Sequence, residues 1–76
     1  MTNQPHYTEH IRIKYPDVEV TLIGEDGNAF AIMGRVQRAL KQHGVAKEEI
    51  NEYLRESQSG DYDHLLVTAT RWVTVL

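Results

Sequence analysis

The chain has no cysteine among its 76 residues. That excludes disulfides and the thiolate zinc sites that hold many small folds together. It also suits a reducing compartment, so a cytoplasmic location is expected. Long apolar runs are missing as well. Nothing approaches the roughly 20 residues of a membrane span, and residues 1–7 lack the apolar core of a signal peptide. Positive charge is scarce: eight Lys and Arg stand against eleven Asp and Glu, a formal charge of -3. Phosphate neutralisation needs a basic surface, so a general nucleic-acid binder is disfavoured. Repeats and low-complexity tracts are absent. What remains is 41% hydrophobic residues, enough for one folded domain rather than a disordered chain. A chain this short buries only about 60% of its unfolded surface, so good local structure or self-association must support it.

The reading is an α+β domain over 10–76 behind a flexible arm, 1–9. Ile11, Ile13 and Tyr15 alternate with His10, Arg12 and Lys14, which predicts a strand at about 10–15. Pro16-Asp17 reads as a turn, and Val18, Val20 and Leu22 predict a second strand at 18–23. A first helix is expected at about 27–43, capped by Asp26 or, alternatively, Asn28, and ended by a left-handed Gly44. Ala29, Ile32, Met33, Val36, Leu40 and His43 share its core face. Gly34 falls mid-helix, where it costs about 1 kcal/mol relative to alanine. A second helix is expected at 47–57, with Val45 and Ile50 as a hydrophobic staple and Glu49 as the capping-box glutamate. Ala46 stands where a capping hydroxyl belongs. The polar Ser57-Gln58-Ser59-Gly60 reads as a turn. A third helix at 61–71 starts on Asp61 and Asp63, which suit its dipole, and 72–76 reads as a short strand added to the sheet. Tyr53, Tyr62 and Trp72 fit the buried stripes.

From Leu22 to Val75 the chain resembles a small family of uncharacterised bacterial and phage proteins. The resemblance rests on Ile23-Gly-Glu-Asp-Gly-Asn-Ala-Phe-Ala31, on Gly34-Arg35-Val36 and on Ser59-Gly-Asp-Tyr-Asp-His-Leu-Leu66. In that family's pattern a hydroxyl residue is common where this chain has Ala46. The resemblance implies no activity, ligand or cofactor.

Two kinds of site compete. Gly24, Asp26, Gly27 and Asn28 form a strand-to-helix loop of the sort that often holds phosphates, but it lacks G-x-G-x-x-G and a Walker lysine, and its acids repel anions. A structural turn and cap explains it more simply. Asp61, Asp63 and His64 point in different directions on a helix, so no metal site is read, and no nucleophile lies beside a base. No cofactor and no catalytic residue is assigned. The alternative is an interaction surface. Phe30 lies beside Gly34, off the core stripe. Arg35 and Arg38 stand on the outer face of the first helix, and Glu48, Glu52 and Glu56 form an acidic ridge on the second. The expected function is therefore a non-enzymatic protein-interaction or regulatory accessory domain, with a homodimer as one form of the interaction. The competing reading is a small-ligand or nucleotide-binding protein using the Gly24–Asn28 loop.

Overall fold

The computed structural model describes residues 12–22 and 28–76. Its elements run β1 (Tyr15–Val20), α1 (Ala29–Gln42), α2 (Lys47–Ser57), α3 (Tyr62–Trp72) and β2 (Val73–Val75). Three helices thus connect two strands that pair in parallel, an α+β fold. The expected arm, 1–9, lies outside the described residues.

The sheet differs from the sequence expectation in one instructive way. Residues 12–14 carry no strand, and β1 passes straight through Pro16-Asp17, where a turn was expected. In register, Tyr15 pairs with Val73 but Glu19 with Thr74, so three β1 residues bulge out between successive partners. Proline has no N–H to give a ladder, and a bulge is one of the few strand positions that tolerates it. The bulge is tied down by the Thr74 hydroxyl, which donates to the Pro16 carbonyl at 2.8 Å. Val18 at its end and Val20 beyond it are both buried in the core, and the strand ends before Thr21, short of the expected 23.

The helices follow their sequence periodicity. Asn28 caps α1, its side chain accepting from the Ala31 amide at 3.1 Å; the preferred cap, Asp26, lies outside the described residues. Ile32, Met33, Val36 and Leu40 are buried as expected. His43 is not. It is exposed at the C-cap, one position before Gly44, whose φ of 86° lets the chain reverse. The start of α2 has no side-chain cap at Ala46. Nor does Glu49 complete a capping box, because its carboxylate is taken by Lys14 at 2.9 Å and Tyr15 at 3.3 Å. Ser57, expected in a turn, is the buried last residue of α2. Trp72 ends α3 rather than opening the strand.

The main core joins Val18 and Val20 of the sheet to Val36, Leu40, Ile50, Tyr53, Ala69 and Trp72. A smaller cluster, Ile32, Met33 and Leu65, packs at the other end of α1. At about 2 kcal/mol for each fully buried large side chain, these stripes are the main favourable term against chain entropy.

Candidate functional site

Two polar-aromatic clusters and three surface depressions are candidates. The first cluster surrounds Trp72. Its ring stacks on Tyr15 at 5.9 Å, meets the edge of Tyr53 at 5.6 Å, and lies 4.3 Å below the Lys14 ammonium. Its indole N–H donates to Glu56 Oε1 at 2.8 Å. The Lys14 hydrogen bond holds the Glu49 carboxyl below its usual range, while the same pairing raises Lys14. Burial, then the neighbouring Glu49 charge, raises Tyr15. Each polar tip here except the Tyr53 hydroxyl has a partner, and the result is a clamp between β1, α2 and α3.

The second cluster closes the C-terminus of α2. Ser59 Oγ donates to the Glu56 carbonyl at 2.8 Å, and His64 Nε2 lies 2.8 Å from that oxygen and 3.1 Å from Ser59 Oγ. A serine beside a histidine suggests a nucleophile and its base. The carbonyl decides against it: an oxygen acceptor requires the proton on Nε2, so that nitrogen has no lone pair for the serine. These groups satisfy helix-end carbonyls. Gly60 is required by the same arrangement, since a Cβ there would stand 2.7 Å from His64 Cγ. The sequence hinted at this only through the Ser59-Gly60 pair.

Among the described residues, no group of three or more His, Asp and Glu could hold a metal ion, and no helix is long and apolar enough to cross a membrane. In the expected ligand loop, Gly24, Asp26 and Gly27 lie outside the described residues. Asn28 spends its side chain on the α1 cap.

The residues expected at a partner surface are distributed as follows. Arg35 and Arg38 are exposed and line a shallow depression of about 280 Å³ with Glu19, Thr21 and Gln42. Glu48 is exposed, Glu52 is half-buried and paired with Arg55, and Glu56 is held by Trp72. Phe30 stands out, with 79% of its surface exposed. It flanks a pocket of about 230 Å³ whose other walls include Met33, Leu65, Ser57 and Tyr62. Tyr62, expected in the core, is exposed here.

Ser57 adds a feature the sequence concealed. It is fully buried, and its hydroxyl and that of Tyr53 one turn earlier have no hydrogen-bond partner. Burial raises the Tyr53 phenol, and Ser57 is near enough to offset part of that rise without bonding geometry. A third depression, about 390 Å³, opens at the far end of α1 between Gln37, Lys41, Val45, Lys47, Ile50 and Asn51. Comparison with family models, with curated proteins and with solved structures found no match to the chain.

Proposed function

We propose that this protein acts by binding a protein surface through the outer face of α1, as an interaction or regulatory accessory domain of the cytoplasm. The carrying observation is Phe30, 79% exposed at the mouth of a largely apolar pocket. A phenyl ring left in water forgoes about 1.5–3 kcal/mol of burial, which a docking partner recovers. Exposed aromatics that cluster beside a pocket are the usual anchors of protein interfaces.

The test is affinity capture from the source cell with the wild-type chain and with Phe30→Asp, after melts show equal stability. A protein retained by the first and lost by the second supports this reading. Identical retained sets would overturn it. Calorimetry against nucleotides and divalent metals addresses the small-ligand alternative, which requires heat of binding that survives Phe30→Asp.

A further inference from the structure

We propose that the occupant of this face is a second copy of the same chain, joined by antiparallel packing of α1 on α1 about a two-fold axis near Gly34. The inference rests on the interaction reading above and names its partner.

The α1 face is defined by spacing. Phe30, Gly34, Gln37 and Lys41 fall within about 60° of one another around the helix. Gly34 sits mid-helix with no atom of the described residues within 4 Å of where a Cβ would stand. Nothing among the described residues therefore accounts for a glycine that weakens the helix. A second backbone passing close by does.

An axis at Gly34 places Phe30 of one copy against the opposite end of α1 in the other. Phe30 lies about 6 Å along the helix from Gly34, and Gln37 and Lys41 lie about 4.5 and 10.5 Å away on the other side. Between them opens the depression of about 390 Å³ floored by Val45 and Ile50. Knob and hole thus belong to one patch at matching distances from its centre, the condition for an isologous contact.

Charge agrees with this placement. The receiving pocket is rimmed by Lys41 and Lys47, while the Phe30 end carries Asp61, which lines its pocket, followed by the exposed Asp63 in the first turn of α3. The adjoining line of α2, Lys47, Asn51, Leu54 and Gln58, carries no carboxylate. A two-fold axis brings the cationic end of each copy to the acidic end of the other, and sets lysines beside the incoming phenyl ring.

Sedimentation equilibrium over a wide concentration range, on the full chain, tests the proposal. The wild type is expected to dimerise, and Phe30→Asp to weaken the dimer by about tenfold or more, as loss of a central anchor does. Lys41→Glu should weaken it, and adding Asp63→Lys to the same chain should restore it. Gly34→Leu places a side chain where the two backbones approach, and should weaken the dimer by about tenfold or more. Val67→Asp, exposed on the side of α3 opposite Leu65, should leave the dimer unchanged. Circular dichroism melts confirm that each variant folds. A wild type monomeric at every concentration would overturn the second copy, while a Phe30-dependent foreign protein in the capture would keep the interaction reading. A dimer indifferent to Phe30→Asp or to Gly34→Leu would overturn this interface.

Discussion

Trp72 and Phe30 are the two largest aromatic investments outside the tyrosines, and the fold treats them oppositely. Trp72 is 3% exposed, with an aromatic neighbour on each side, a cation over its face and a carboxylate on its N–H. Phe30 is 79% exposed beside a pocket whose wall hides an unpaired hydroxyl. The Tyr53 hydroxyl aside, the Trp72 end satisfies itself internally. The other leaves a phenyl ring in water. Incompleteness of that kind, more than any residue type, separates a surface that does something from one that holds the chain together.

Substitutions can break or sharpen the contrast. The largest effect is expected at the satisfied end: Trp72→Ala removes the ring that links β1, α2 and α3 and should cost about 3–5 kcal/mol in urea melts. A loss under about 1 kcal/mol would show that the clamp is ornamental and the contrast false. At the other end, Ser57→Ala deletes a buried hydroxyl with no partner, so a gain of about 1 kcal/mol is expected. A clear loss would mean that the hydroxyl is satisfied in solution. Phe30→Asp should move the midpoint by no more than about 0.5 kcal/mol at concentrations where the chain is monomeric, because the ring packs on little.

The smallest effect is a pH dependence at Glu49. Its folded carboxyl sits below the ordinary 4.5, chiefly through Lys14. The stability it contributes is therefore present above 4.5 and lost as pH falls through the lowered value. The difference in urea midpoint between wild type and Glu49→Gln should shrink as pH drops below 4.5 and vanish once both side chains are neutral. A constant difference would remove the ion pair from the account.

The sequence foretold the helices well, because a 3.6-residue period and Gly44 are local signals. The long-range features were hidden for a common reason. Pro16-Asp17 reads as a turn until β2 arrives to make it a bulge. Glu49 reads as a capping-box residue until Lys14 and Tyr15 compete for it. Ser57 sits in a polar string that gives no sign of burial, and Tyr62 fits an apolar stripe yet lies at its edge. In the first two cases a partner distant along the chain overrules the local preference, and in the last two burial is decided by how the helices pack together. At the candidate surface, Phe30 was legible because its angle put it off the core stripe. The pocket that could receive it was not, since that pocket is built from two helices at once.

The bulged pairing of β1 with β2 also has an optical consequence. Thr74 reaches Pro16 across 58 positions of chain, so the two-stranded sheet closes a long loop with few backbone hydrogen bonds to hold it. Detaching β1 strips the molecule's single tryptophan of its stacked tyrosine and overlying lysine while leaving the helices' own hydrogen bonds in place. The emission of Trp72 is thus a built-in signal for strand opening, readable against a far-ultraviolet dichroism that follows the helices, with no label attached.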